Sequence, residues 1–204
     1  MCPVDEDRSK GGFAQLGQEG EKKVTLAAYG VTDMRGQMYR AKRLMPEPEV
    51  QEFLRTHKVA HVGTVDAQGW PYVIPLVYIY EGGDILYLHT GDHQGHFLTN
   101  IQHNPRICVE VGEMGPVHRG KPYACNSALV YTSVIVFGGV RIVDERDRKT
   151  WFFDRLMAKY GEAGWTFEPG YPQLNRIIVY EQKSHRKAQC GSVPLTEGVE
   201  WLLT

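Results

Sequence analysis

No stretch of this 204-residue chain stays apolar for the roughly 20 residues that a membrane-spanning helix requires. Charge of one sign is missing too. The 23 Lys and Arg stand against 24 Asp and Glu, a formal net charge of −1, which gives no global field to draw in nucleic acid or an anionic membrane. Cysteine is sparse: Cys2, Cys108, Cys125 and Cys190 lie far apart with no C-x-x-C pair. They read as reduced thiols, not as a disulfide frame or zinc site. The first residues, MCPVDEDRSKGG, are acidic and polar, the opposite of a signal or transit peptide, so a cytoplasmic setting is expected. There is no Ser nucleophile elbow, no P-loop, no dinucleotide G-x-G-x-x-G and no internal repeat.

The stretch from Asp84 to Arg106, DILYLHTGDHQGHFLTNIQHNPR, carries the densest chemistry. Ile85 to Leu88 reads as a strand that delivers His89 and Thr90 to its end. A polar turn with Gly91 and Gly95 follows, and then a short amphipathic helix with Phe97, Leu98 and Ile101 on one face, ending before Asn104-Pro105. Strand, glycine-bearing turn and helix N-terminus in that order make a natural anion site, because free N–H groups and the helix dipole favour a phosphate there. The plainer reading is a connection whose glycines relieve backbone strain. His89, His93 and His96 fall within this one connection, which favours the functional reading. A metal is the poorer assignment, since His89 and His93 straddle a turn and no carboxylate cluster lies nearby in sequence.

In chain order, residues 1–33 are poor in periodic apolar residues and read as an arm, flexible or draped on a partner. MRGQMYRAKR is a basic patch leading into a helix that starts near Pro46. Val59 to Val65 alternates as a strand. Tyr72 to Tyr80 is a second, interrupted by Pro75, which must lie at an edge, a bulge or a strand switch, where neighbouring backbone groups become available to a ligand. Ile107 to Val111 is a strand, Gly112 to Asn126 a Gly/Pro-rich connection, and Leu129 to Val143 a long strand with a bulge at Gly138-Gly139. Asp147 to Tyr160 is an amphipathic helix, and Arg176 to Tyr180 the last strand. The sum is a mainly β (α+β) domain: five or six strands in a small antiparallel barrel with helices packed on it.

These features in this order resemble the FMN-binding split barrel of the pyridoxamine 5'-phosphate oxidase superfamily, and within it the branch of nitroimidazole-resistance proteins. The residues that carry the likeness are MYRAKRLM, HVGTVDAQGWPYVIPLVYIY, ILYLHTGDHQGHFLTNIQHNPRICVEV, YTSVIVFGGVRIVDE and IIVYEQKSHRK, covering about residues 38 to 188. The resemblance implies a six-stranded antiparallel split β-barrel with flanking helices over residues 34–190, and a tail over 191–204. It also implies a homodimer with FMN in clefts at the subunit interface. Pro75, Leu76, Val77 and Tyr78 would line the isoalloxazine ring, their backbone groups bonding its polar edge. Thr90, Gly91, Gly95 and His96 would surround the phosphate, with Thr132 and Ser133 adding side-chain donors. His89 would face flavin and substrate as the catalytic residue; the alternative is a partly buried His bonded to nearby backbone.

Two positions depart from the family's pattern. Phe97 stands where a second phosphate cation is usual, and Thr132 where relatives often have arginine. Either the missing charge comes from Arg40, Lys42, Arg43 or Lys121, or FMN binds weakly, or another ligand has replaced it. A flavin carries hydride and electron chemistry itself, so no acid–base dyad is required, and none is evident. The expected function is reduction of a small nitroaromatic, quinone or similar acceptor, with electrons from NAD(P)H or a protein. Trp70, Tyr72, Tyr78 and Tyr80 would either shape an aromatic slot or pack the barrel. The alternative is a flavin or haem carrier or sensor, with His89, His93, His96, His118 or His185 as axial ligand.

Overall fold

The computed structural model describes residues 43–91 and 94–190, the last six of these as backbone alone. The arm, most of the basic patch including Arg40 and Lys42, His93, the His185 side chain and the tail lie outside the described residues. The elements run α1 (Glu47–Thr56), β1 (Val59–Val65), β2 (Pro71–Tyr80), β3 (Ile85–Thr90), α2 (His96–His103), β4 (Arg106–His118), β5 (Ala128–Val143), α3 (Arg146–Tyr160) and β6 (Ile178–Cys190). The strands close into one antiparallel barrel in the order β1-β2-β3-β6-β5-β4. This is the six-stranded fold that the sequence suggests.

Alternation along each strand fills the barrel. Ala60 and Val62 from β1, Tyr78 and Tyr80 from β2, Leu86 and Leu88 from β3, and Val134 and Val136 from β5 form one buried core. Two helices add to that core. α1 inserts Val50 and Leu54, and the Tyr78 hydroxyl donates to Leu54 O at 2.7 Å. α2 inserts Phe97, Leu98 and Ile101, and buried Asn100 donates its Nδ2 to Thr64 Oγ1 at 2.9 Å. The third helix, α3, covers a second cluster on the outer face, where Phe152 and Phe153 meet Ile79, Tyr87 and Val179.

Two boundaries differ from the sequence reading. The Gly112–Asn126 segment is not one loop, because β4 continues to His118 and pairs with β5 as a two-stranded ribbon down to His118↔Ala128. Its Gly115 and Pro116 fall where the register shifts between Met114 and Val117, so the proline's missing N–H breaks no regular rung. Likewise β6 runs on through the charged KSHRKAQC to Cys190, held by pairing with β5 despite its polar sequence. The expected irregularity at Gly138 is present: the partner of β5 jumps from Arg186 to Ser184 there. A Cβ on Gly138 would collide with the backbone of Lys183.

Candidate functional site

The barrel is open along one seam, and Pro75 shows where. β2 pairs with β1 along its whole first part, from Val59↔Val77 to Val65↔Pro71, but it meets β3 only at Tyr78, Ile79 and Tyr80. From Pro71 to Leu76 no described strand pairs with its other edge. Backbone polar groups alternate between the edges of an antiparallel strand. Tyr78 turns its N–H and C=O to the Tyr160 hydroxyl, which also touches Lys58 O on the β1 side. By alternation Leu76 and Ile74 face β1, while Val73, Pro75 and Val77 face the seam. Pro75 therefore lacks its N–H where no ladder bond is lost, as expected of an edge.

The opposite lip is the end of β3. There His89 and Thr90 pair only with Val179 and Ile178 of β6, and the same alternation turns the His89 backbone toward the seam. The His89 ring lies on the outer face beneath α3, 5.5 Å from the Phe152 ring and 5.8 Å from that of Phe153. Burial holds its pKa below the usual 6.5, so the imidazole is neutral near pH 7. Its Nδ1 is buried without a hydrogen-bond partner, and the backbone bond of the plainer reading is not made. Thr90 points inward, its hydroxyl 3.0 Å from that of Tyr180.

At the end of the seam the chain turns into α2. Gly95 caps the helix at φ 124°, a conformation that L side chains rarely adopt, and a Cβ there would meet nothing within 4 Å. Its carbonyl accepts from Thr99 N–H and hydroxyl, while the first-turn N–H groups of α2 point outward as in any helix start. Gly91 and His96 are exposed, and His96 leans edge-on against Tyr72 of β2 at 5.6 Å, which joins this turn to the lip. Phe97 points the other way, buried in the core at 5.2 Å from the Tyr180 ring.

The remaining sequence candidates divide. Tyr78 is withdrawn from the seam, with its ring in the core and its backbone held by Tyr160. Leu76 contributes a partly buried side chain to the core. Tyr80 is buried, Tyr72 packs against the core, and Trp70 is 73% exposed in the β1–β2 turn, so these four rings line no common slot. Thr132 and Ser133 are not brought to the α2 turn. Ser133 pairs with Gly112 and Cys190, whereas Thr90 pairs with Ile178 at the other end of β6. By the other route β2, β1 and β4 stand between, at about 4.8 Å per strand. Nor do the described residues gather three or more His, Cys, Asp or Glu for a metal.

Periodicity turns Phe152 of α3 inward, but sequence reasoning missed Tyr160, Lys159 and Phe153 beside the seam, because nothing in a helix's periodicity says which strand it will cover. Lys159 Nζ lies 4.0 Å from the centre of the Tyr78 ring and 3.4 Å from Tyr78 O. Burial, reinforced by nearby Lys58, lowers its pKa to about 8.

A flavin tests against this site in two parts. The Val77 N–H, the Pro75 carbonyl and the His89 carbonyl fit the polar edge of a planar ring; the Val77 carbonyl and the His89 N–H are taken up by the Tyr78↔Leu88 pairing. The α2 N-terminus with its bare glycine fits a phosphate through backbone donors, with His96 as the adjoining side chain. The sequence profile of the pyridoxamine 5'-phosphate oxidase family matches residues 46–184. The chain belongs to that family. Haem oxygenase HutZ of Vibrio cholerae is 28% identical over 136 residues, 66% of this chain and 69% of that one. Among solved structures, the fold is shared with a protein ascribed to 5-nitroimidazole antibiotic resistance from Bacteroides thetaiotaomicron (TM-score 0.61, 21% identity, 71% of this chain and 82% of that one). The flavocytochrome Anf3 of Azotobacter vinelandii shares it too (TM-score 0.66, 18% identity, 80% and 78%).

Proposed function

We propose that this family member is an FMN-dependent oxidoreductase that reduces a small acceptor, a nitroaromatic or quinone, with electrons from NAD(P)H or a protein. The observation that carries this reading is the seam, where the unpaired edge of β2 faces His89 and runs into the glycine-capped start of α2. FMN, when bound, supplies the hydride and electron chemistry. Val77 and Pro75 orient the ring edge through the backbone, and the α2 N–H groups with His96 hold the phosphate. His89, neutral through burial, offers a hydrogen-bonding group at the wall of the acceptor space rather than a charge.

The same reading calls for a homodimer. Thr132 and Ser133 reach a phosphate at the α2 turn only when a second copy brings its own β5 there. Exposed apolar side chains on β1, β2 and the ribbon, among them Val59, Val73, Met114, Val117, Leu129 and Tyr131, offer the covering face. The reduced thiols expected from the sequence agree with Cys108 and Cys125 being free, and they favour a cytoplasmic setting.

A second reading, a haem carrier or sensor, is favoured by one observation: His89 Nδ1 is buried and unpartnered while the second phosphate cation has become a core phenylalanine. One experiment separates the two. The visible spectrum of the protein as purified is recorded, FMN is titrated in, and NAD(P)H is added without oxygen. A two-band flavin spectrum that bleaches supports the oxidoreductase. A single intense Soret band supports haem carriage, and a colourless protein indifferent to FMN removes the flavin reading.

A further inference from the structure

A second cleft lies between α3 and the segment that follows it, and it does not depend on the flavin reading. From Gly161 to Asn175 the sequence, GEAGWTFEPGYPQLN, contains three aromatic rings and two glutamates but no Lys or Arg. It folds back along α3 through Gly164 and Gly170, both at positive φ, and through Tyr171 at φ 50°. A positive φ is uncommon for an aromatic residue and marks a position held by its surroundings. What holds it is visible: the Tyr171 hydroxyl donates to Asp154 Oδ1, and its N–H to Glu168 O at 3.0 Å.

The resulting cleft measures about 630 Å³, within the range of small-molecule sites. Its walls are the Trp165, Phe167 and Tyr171 rings and the Met157 thioether. Asp154 and Glu162 bring carboxylates, and no basic side chain lines it. Asp154, Met157, Ala158 and Gly161 are spaced i, i+3, i+4 and i+7, so one stripe of α3 makes the floor and its small residues leave the room. Trp165 is 60% exposed and Phe167 37%, with Phe167 and Tyr171 centred 5.5 Å apart.

Ring faces are negative, and two carboxylates add to that field, so the cleft repels anions. A neutral apolar guest gains nothing from the carboxylates. A bare metal ion finds no cluster of three ligands among the described residues. A cation wrapped in alkyl groups satisfies both the aromatic wall and the carboxylates. We propose that this cleft binds a small organic ammonium ion, an alkylated amine.

The test uses choline and its uncharged carbon isostere, 3,3-dimethylbutan-1-ol, titrated calorimetrically into the full-length protein as purified. Choline is expected to bind about tenfold or more tightly than the alcohol, as cation–π attraction and charge together require. Asp154→Asn keeps an acceptor for Tyr171 but removes the charge, and should weaken choline about tenfold. Glu162→Gln and Trp165→Ala, at positions outside the core, give the same test should Asp154→Asn fail to fold. Equal binding of both probes, no binding of either at tens of millimolar, or choline binding unmoved by all three variants overturns the proposal. The visible spectrum is read alongside, so that failure here is distinct from failure of the flavin assignment.

Discussion

The Tyr160 hydroxyl lies 3.1 Å from the amide nitrogen of Tyr78 and 2.9 Å from its carbonyl oxygen. It fills the rung that β1 would have supplied one residue earlier, where Lys58 O also lies 2.7 Å from the same hydroxyl. The phenol thus receives the Tyr78 N–H and gives its proton to a carbonyl, tying α3 to β2 next to Val77, the first residue of the open seam.

Tyr160→Phe should therefore cost about 1–3 kcal/mol, the range for leaving a partly buried backbone group unpaired. It should also loosen the position of Val77. Urea unfolding measures the first, and cofactor affinity relative to the parent protein measures the second. A Tyr160→Phe protein as stable as the parent would show that water replaces the phenol at no cost.

Phe97 is the sharpest departure from the family's phosphate grip, and the fold explains it. The side chain serves as the contact between α2 and Tyr180 inside the barrel. Phe97→Ala should destabilise by about 3–5 kcal/mol, as for other buried phenylalanines. Phe97→Lys should behave at least as badly and gain no affinity for FMN. Tighter FMN binding by a stable Phe97→Lys protein would instead mean that this position can turn outward to the phosphate.

Much of the fold was legible because its signals are local. Val59 to Val65 alternates and is a strand with that pattern of burial, and Pro75 announces an edge because a missing N–H has few places to go. The ribbon was not legible, since Gly115 and Pro116 read as loop while a register shift absorbs both. Nor was the course of β6 beyond Tyr180, where polar residues are held by β5 and not by burial of their own. At the candidate site, turn chemistry pointed to Gly95 and His96, and the structure places both at the start of α2. Which of four consecutive residues in β2 face the seam depends on the parity of its pairing with β1, which a single strand's sequence does not show.

His89 should make stability fall on the acid side. Its folded-state pKa is depressed by burial, below the usual 6.5 of the unfolded chain. Above 6.5 neither state binds the proton. As pH drops below that value the unfolded chain takes it up first, so stability is lost progressively until the folded pKa is reached. His89→Leu, which keeps the packing against Phe152 and Phe153, should flatten this part of the profile. Unfolding free energies between about pH 5 and 7 measure it. An unchanged slope would place the ring in contact with water.

Lys159 makes a prediction at the opposite end of the pH scale, and its sign distinguishes two effects. Attraction to the Tyr78 ring at 4.0 Å favours the ammonium. Burial and the neighbouring Lys58 disfavour it, and they prevail, since the pKa falls from 10.5 to about 8. Below about 8 both states carry the proton, and the folded protein bears the full cost of the charge. Between about 8 and 10.5 only the unfolded chain keeps it, so stability rises with pH. Lys159→Met should accordingly raise the melting temperature at pH 7, with an advantage that shrinks as the pH climbs through that window. A variant that is less stable than the parent at pH 7 would show that the cation–ring contact and the bond to Tyr78 O outweigh the desolvation of the amine.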